Sequence, residues 1–303
     1  MKYIVTGSAG FIGSHLYEAL EARGYDVVGV DCFTDYYDAG LKEENARGQQ
    51  LVRLDLARES LDLEGVRGVF HLAGQPGVRS FGEVFETYLD RNVLVSQRLF
   101  EASARAGIRV VFASTSSVYG DAERYPTAED VVPRPVSPYG ITKLACEHLV
   151  RATTQSFGLD AVVLRYFSVY GPRQRPDMAF ARIATCLAEE KPFDLYGDGG
   201  QSRSFTFVGD VVEATIRAMD AGKGTYNVGG GEEATLQETI GAFEEISGRT
   251  LEVKRASVAA GDQRRSLADT SAIRRDLGWA PTTPLRDGLA AQWEWAAARV
   301  GAR

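Results

Sequence analysis

The chain reads Lys2-Tyr3-Ile4-Val5-Thr6-Gly7-Ser8-Ala9-Gly10-Phe11-Ile12-Gly13 near its start, where a β-branched run passes through closely spaced glycines into an apolar helical segment. Further strand-like runs follow at 27–31, 51–54, 69–72, 110–113 and 161–165. Helical stretches between several of them cover 12–23, 84–106 and 138–157. Alternation of helices with strands that are apolar on both faces is typical of a covered parallel sheet. The sequence therefore predicts an α/β fold with a Rossmann-type, doubly wound parallel sheet.

The composition excludes several classes of protein. The chain has 303 residues, of which 44% are hydrophobic and 25% charged, as in ordinary globular proteins. Its net charge of −7 lacks the basic footprint of nucleic-acid-binding proteins, so we expect no such partner. No apolar run reaches the roughly 20 residues that span a bilayer, and no secretory signal is recognised, so we expect no membrane association and a cytoplasmic location. Three cysteines without metal-ligand spacing favour reduced thiols and no metal site.

The glycines of the first loop predict a dinucleotide site. Gly7, Gly10 and Gly13 follow a strand and open a helix that also contains Phe11 and Ile12. Such glycines let the backbone approach a pyrophosphate, and the helix N-terminus supplies N–H groups and a positive dipole. Asp31 ends the next strand, 18 residues past Gly13, where a carboxylate can bind the adenosine ribose. Because this acid would repel the extra phosphate of NADP, NAD is the expected cofactor.

Other strand ends complete the predicted cofactor site. Asp55 and Leu56 follow the third strand, where they could hold the adenine. Small residues at the end of the fourth strand, Leu72-Ala73-Gly74, would let the cofactor lie close. The remaining residues that we assign to this site are Lys42, Asn92, Ser114, Tyr139, Lys143 and Tyr166.

A tyrosine and a lysine provide the strongest chemical signal. Ser137 can cap a helix that begins at Pro138, which places Tyr139 and Lys143 four residues apart on one helical face. A free tyrosine has a pKa near 10 and is a poor base at neutral pH. An adjacent ammonium, together with a positively charged nicotinamide, would lower that pKa and favour the phenolate. The pair therefore suggests a general base.

Hydroxyl side chains follow the fifth predicted strand. Ser114-Thr115-Ser116-Ser117 stands where open α/β sheets bind ligands, at the carboxyl end of a parallel strand. A hydroxyl there could donate to a substrate oxygen alongside Tyr139.

Together these residues resemble the extended short-chain dehydrogenase/reductase family, and within it the NAD-dependent nucleotide-sugar epimerases. The resemblance extends to 165–167, 169–172, 196–199 and 268–269. It implies that Tyr139 is the general base, that Lys143 lowers its pKa and holds the nicotinamide ribose, and that Thr115 is the hydroxyl partner. Asn92 falls where the family keeps an asparagine near the active site. The resemblance also implies a homodimer that uses the helices 84–106 and 138–157.

The residues after Thr115 separate branches of that family. The 4,6-dehydratases have an acidic pair there, because elimination of water needs further proton donors and acceptors. Uronate decarboxylases have a glutamate at the second position. Ser116 and Ser117 cannot do carboxyl acid–base chemistry, so the sequence favours epimerisation at carbon 4 of the sugar.

Two loops resemble those of UDP-glucuronate 4-epimerases, namely 31–37 and 171–178. Arg175 could hold a glucuronate carboxylate together with Thr115, Ser116 and Ser117. Ser168 stands where sugar epimerases commonly have an asparagine, and we place it in the substrate site. Arg203 matches an arginine that binds the diphosphate in the family. Further candidates for the nucleotide are Arg79, Arg182 and Asp262.

The expected activity is thus that of an NAD-dependent UDP-sugar 4-epimerase acting on UDP-glucuronate. Three alternatives stay open: a UDP-glucose or UDP-N-acetylglucosamine 4-epimerase, a UDP-glucuronate decarboxylase, and a non-catalytic protein that binds NAD or a sugar nucleotide. The regular alternation of strands and helices changes after Arg165, where Gly-Pro and Gly-Asp-Gly-Gly sequences appear. We therefore expect an NAD-binding domain at 1–167 and a smaller α/β substrate-binding domain at 168–303, with a segment at about 204–225 returning to the first.

Overall fold

The computed structural model describes residues 1–77, 82–256 and 265–301. The strands are β1 Lys2–Thr6, β2 Asp26–Asp31, β3 Leu51–Arg53, β4 Val66–His71, β5 Arg109–Thr115, β6 Ala161–Tyr166, β7 Ser168–Tyr170, β8 Phe193–Tyr196, β9 Ser202–Phe207, β10 Gly224–Val228, β11 Glu233–Thr235, β12 Val253–Ala256 and β13 Arg265–Ser266. The helices are α1 Phe11–Ala22, α2 Ala39–Asn45, α3 Phe85–Tyr88, α4 Val95–Ala106, α5 Pro138–Phe157, α6 Ala179–Glu189, α7 Val208–Asp220, α8 Leu236–Ser247, α9 Ser271–Leu277 and α10 Leu285–Gly301.

A seven-stranded parallel sheet confirms the predicted fold class. Its order is β10-β6-β5-β4-β1-β2-β3, and the pairs β1–β2 and β1–β4 are both parallel. The strand order therefore reverses at β1, between a half that runs outward to β3 and a half that runs outward through β4. In open α/β sheets a ligand binds at this reversal, beyond the carboxyl ends of the strands.

Two apolar layers cover the sheet. Adjacent residues of a strand point to opposite faces, so Val5 packs with Leu16 of α1 and Val212 of α7, whereas Ile4 packs with Leu99 of α4 and Val150 of α5. All of these side chains are buried. The helices that contain the functional residues are thus fixed on both faces of the sheet.

The predicted helical stretch over 84–106 is confirmed, but it is not α-helical throughout. A 3₁₀ turn, Gly82–Val84, leads into the short α3, and a π-helical stretch, Leu89–Leu94, precedes α4. Asn92 lies in this stretch, where its side-chain oxygen accepts from the Gln75 N–H (2.7 Å) and its amide donates to the Gln75 carbonyl (3.2 Å). The wider helical turn therefore serves a buried side chain that ties the helix to the end of β4, as π-helical turns near functional sites often do.

The later part of the chain builds a smaller unit and also returns to the first sheet. β9 pairs with β7, β11 and β13, and β8 pairs with β12. Between them, α7 packs against α1, and β10 pairs with β6. The returning segment runs from α7 to the end of β10, compared with the expected 204–225. The division into domains at 1–167 and 168–303 stays our proposal.

Candidate active site

A cavity lies at the carboxyl edge of the sheet, where the strand order reverses. Its walls contain, from the residues predicted for the cofactor, Gly7, Gly10, Phe11, Ile12, Gly13, Asp31, Lys42, Asp55, Leu56, Leu72, Ala73, Gly74, Ser114, Tyr139, Lys143 and Tyr166. It is also lined by residues without such an assignment, including Cys32, Thr34, Tyr36, Tyr37, Gln75, Arg91 and Arg175. The structure thus brings residues from six strand ends into one site.

The first loop has the shape that a pyrophosphate requires. Gly7 has a φ of +73°, and a Cβ there would lie 2.9 Å from the backbone nitrogen of Ala73. A Cβ on Gly13 would lie 2.1 Å from the carbonyl oxygen of Gly7, so only glycine permits this close packing. α1 begins after Gly10 without a side-chain cap, which leaves its first N–H groups for a ligand. These residues therefore fit a dinucleotide.

Asp31 holds the glycine loop and the loop after β2 together. Its two carboxylate oxygens accept hydrogen bonds from the backbone N–H groups of Ala9 (3.2 Å) and Phe33 (2.8 Å). A carboxylate fixed at this position can accept further bonds from ribose hydroxyls and repels a ribose phosphate. Lys42 lies nearby, with Nζ donating to the carbonyl and hydroxyl oxygens of Thr34 (2.6 and 2.8 Å).

Arg91 was not predicted, although it lies in the cavity wall. Its Nη1 donates to Asp55 Oδ1 at 2.5 Å and lies 3.5 Å from the sulfur of Cys32. The pair fixes the carboxylate of Asp55 beside the predicted adenine position. No feature of the sequence pairs these two residues, because 36 positions separate them.

The helix start at Ser137 is as the sequence predicts. The Ser137 hydroxyl accepts from the backbone N–H of Gly140 (3.1 Å), and Pro138 occupies the first turn. Lys143 is 4% exposed, and its Nζ donates to the carbonyl of Ala113 at the end of β5 (2.9 Å). Burial lowers the pKa of Lys143, while the nearby Glu147 acts in the opposite direction.

Burial raises the pKa of Tyr139 above its usual value in the protein alone, and the guanidinium of Arg175 and a hydrogen bond with Thr115 oppose that rise. The predicted lowering of this pKa depends on Lys143 together with a bound, positively charged nicotinamide, so it stays a prediction. In the protein alone the ammonium of Lys143 is held by the carbonyl of Ala113.

The hydroxyls after β5 form a compact turn. Thr115 is buried, donates to Ser117 Oγ (3.2 Å) and accepts from the Ser117 backbone N–H (3.1 Å). Ser116 and Ser117 begin a 3₁₀ turn, Ser116–Tyr119, and both are half-buried. The hydrogen bond between Thr115 and Tyr139 joins this turn to the base.

A buried ion pair joins β6 to α5, the helix that contains Tyr139 and Lys143. Ser114 Oγ donates to Glu147 Oε1 (2.5 Å), and Arg165 contacts both oxygens of Glu147, the shortest distance being 2.7 Å. The side chains of Arg165 and Glu147 are only 7% and 8% exposed. Glu147 was not predicted, but its spacing of four residues from Lys143 was a signal that could have found it.

Arg175 is the predicted carboxylate-binding residue that the structure places in the cavity wall. Ser168 is half-buried on β7. Arg182 lies over the rings of Phe193 and Tyr196, and Arg203 donates to the carbonyl of Ser202. Within the described part of the chain, the cavity wall contains none of the predicted residues Asn92, Thr115, Ser116, Ser117, Ser168, Arg182 and Arg203. Arg79 and Asp262 lie outside the described residues.

No cluster of at least three histidine, cysteine, aspartate or glutamate side chains in the described ranges could hold a metal ion. No helix in those ranges is long and apolar enough to cross a bilayer.

Comparison with known proteins identifies the family of the chain. The model of the NAD dependent epimerase/dehydratase family matches residues 3–229. The chain belongs to this family. It is 42% identical to an uncharacterized UDP-glucose epimerase of Bacillus subtilis (strain 168), over 95% of this chain and 96% of that protein. It is 34% identical to a UDP-glucuronate 4-epimerase of Thermodesulfobacterium geofontis, over 97% and 95% respectively.

A solved structure agrees with this membership. The UDP-glucuronic acid 4-epimerase of Bacillus cereus, in complex with UDP-glucuronic acid and NAD, superposes with a TM-score of 0.94 at 39% identity, covering 99% of this chain and 100% of the other. The comparisons confirm the predicted enzyme class, an NAD-dependent UDP-sugar 4-epimerase, and the predicted cofactor, NAD. The roles of individual residues in this epimerase stay predictions.

Proposed function

We propose that this epimerase interconverts UDP-glucuronate and UDP-galacturonate. The observation that carries the proposal is the position of Arg175, which lines the same cavity as Tyr139 and Lys143. A guanidinium binds a carboxylate through two parallel hydrogen bonds, whereas a neutral hydroxymethyl group gains little from it. The similarity to the Bacillus cereus enzyme solved with UDP-glucuronic acid supports the same substrate.

Tyr139 takes the proton of the 4-hydroxyl as carbon 4 is oxidised, and returns it after the sugar has presented its other face. Thr115 would turn its hydroxyl hydrogen from Ser117 Oγ to the oxygen that becomes the carbonyl. Lys143 is held at the end of β5 by Ala113 and lines the same cavity, where it would bind the ribose of the cofactor. NAD, when bound, supplies a reversible hydride acceptor and a positive charge. The glycine loop and Asp31 would hold it.

The keto form of a uronate is a β-keto acid, which loses carbon dioxide readily when the carboxylate aligns with the carbonyl. Arg175 and the hydroxyls of Ser116 and Ser117 would hold the carboxylate away from that alignment. Neither serine can act as a carboxyl acid or base, which favours epimerisation over decarboxylation.

The deciding experiment offers the NAD-loaded enzyme three substrates separately: UDP-glucuronate, UDP-glucose and UDP-N-acetylglucosamine. We expect UDP-galacturonate from the first, at a rate well above that for either neutral sugar, with the products resolved by NMR. Conversion of a neutral sugar alone would overturn the uronate assignment. Release of carbon dioxide with a UDP-pentose would identify a decarboxylase, and binding without turnover a non-catalytic protein.

Arg175→Ala is expected to raise KM for UDP-glucuronate about 30-fold or more, because the carboxylate loses its charged partner. KM for UDP-glucose should change by less than about threefold. The matched control is Arg173→Ala, which removes a neighbouring arginine that pairs instead with Glu18 (2.7 Å). Steady-state kinetics on the three proteins give the comparison, and equal losses for both sugars would contradict the role of Arg175.

The diphosphate site, the homodimer and the cytoplasmic location also remain proposals. Arg182 and Arg203, together with the undescribed Arg79 and Asp262, are proposed for the nucleotide. The dimer is supported by exposed apolar side chains on the two segments expected to form it, namely Val84, Phe85, Leu89 and Ile141.

A further inference from the structure

The guanidinium of Arg175 already has a carboxylate partner. Its Nε donates to Asp177 Oδ1 at 2.9 Å and its Nη2 to Asp177 Oδ2 at 3.0 Å. This is the two-point geometry in which a guanidinium also binds a substrate carboxylate. The side chain of Arg175 is 23% exposed and that of Asp177 is 42% exposed, so the acid lies on the outer side of the pair.

Asp177 is also held by the opposite loop. Tyr36, which follows β2, donates from its hydroxyl to Asp177 Oδ2 (3.3 Å), and its ring lies 6.0 Å from the Arg175 guanidinium carbon. Tyr36 and Arg175 line the cavity together with Tyr139. The carboxylate of Asp177 is therefore fixed next to the predicted position of the substrate carboxylate.

We propose that Asp177 is a specificity-determining residue that competes with the substrate carboxylate for Arg175. A uronate must displace Asp177 from the guanidinium or share the guanidinium with it. Displacement breaks the ion pair of Asp177, and sharing places two carboxylates beside one cation. A neutral sugar has no carboxylate to bind to Arg175, so it does not compete with Asp177. Asp177 would thus limit the affinity for both uronates and let either one leave after turnover. The inference rests on the proposed function, since it takes Arg175 to bind the uronate carboxylate.

The test measures affinity without turnover. NAD-loaded protein carrying Tyr139→Phe is titrated by calorimetry with UDP-glucuronate and, separately, with UDP-glucose. Adding Asp177→Asn should tighten UDP-glucuronate binding about three- to fivefold, the range that a partly exposed ion pair allows. UDP-glucose binding should change by less than about twofold. Asp177→Ser, which also removes the charge, should give the same result.

A further combination of substitutions tests whether the effect of Asp177 requires Arg175. With Arg175→Ala already present, Asp177→Asn should tighten UDP-glucuronate binding by less than about twofold, because the competition requires the guanidinium.

Weaker binding of UDP-glucuronate by the Asp177→Asn protein would overturn the inference, since it would show that Asp177 orients Arg175 for the substrate. Equal changes for both nucleotides, or no change, would also overturn it. The proposed function is judged separately, from turnover of UDP-glucuronate by the unmodified enzyme. An enzyme that fails to convert UDP-glucuronate would refute that function, while the affinity ratio would still decide the role of Asp177.

Discussion

Tyr139→Phe is expected to reduce turnover by about 10²–10⁴-fold, the range for the loss of a general base or acid. The substitution removes one oxygen and keeps the ring, so the hydrogen bond with Thr115 and the proton acceptor disappear together. The glycine loop and Asp31 are untouched, and NAD should stay bound. The measurement combines NMR rates on UDP-glucuronate with the NAD content of the purified protein.

The matched control is Tyr17→Phe. The Tyr17 hydroxyl of α1 donates to the carbonyl of Val27 on β2 (3.2 Å) and accepts from the N–H of Gln50, just before β3 (2.8 Å). Its removal should leave turnover within about twofold of the unmodified enzyme. Substantial turnover by the Tyr139→Phe protein would show that another group moves the proton.

Glu147→Ala is expected to lower the free energy of unfolding by about 3–5 kcal/mol, because it leaves Arg165 as a buried charge without its partner. The loss should be large since the pair is almost fully buried and Ser114 also loses its acceptor. Glu147→Gln, which retains an acceptor for Ser114, should cost less. Urea unfolding at one fixed NAD concentration measures all three proteins, because bound cofactor adds to stability.

Glu245→Ala provides the comparison on the surface. Glu245 pairs with Arg286 at 2.7 Å, with both side chains more than 60% exposed. Its loss should cost no more than about 1 kcal/mol, as for other exposed ion pairs. If Glu147→Ala cost as little as Glu245→Ala, the buried pair would contribute nothing to stability.

Much of the sheet and of the cofactor cavity could be predicted because the signals are local. The glycine loop and Asp31 can be recognised from their residue types and their distance from a strand. The helix start can be recognised from the adjacent residues Ser137 and Pro138. Strand bounds followed from β-branched runs. The sixteen predicted cofactor residues in the cavity wall all lie within a few positions of such features, apart from Lys42.

The rest depends on contacts between distant segments. The ion pairs Arg91–Asp55 and Arg165–Glu147 join residues that are distant in sequence and close only in the folded structure. Neither composition nor hydrophobic periodicity predicts such pairs. The π-helical stretch at Leu89–Leu94 keeps an ordinary helical pattern of apolar residues. The depth at which Tyr139 is buried, which raises its pKa in the protein alone, and the carbonyl that engages Lys143 are likewise set by packing.

The return of α7 and β10 to the first sheet limits where the chain can be cut into fragments that fold. β10 covers the outer edge of β6, and α7 covers apolar side chains on one face of the sheet. A fragment that ended at residue 167 would expose a row of unpaired backbone groups and an uncovered apolar surface, the two conditions that promote aggregation. We therefore expect that the half containing the glycine loop does not fold into a soluble unit without the later α7 and β10.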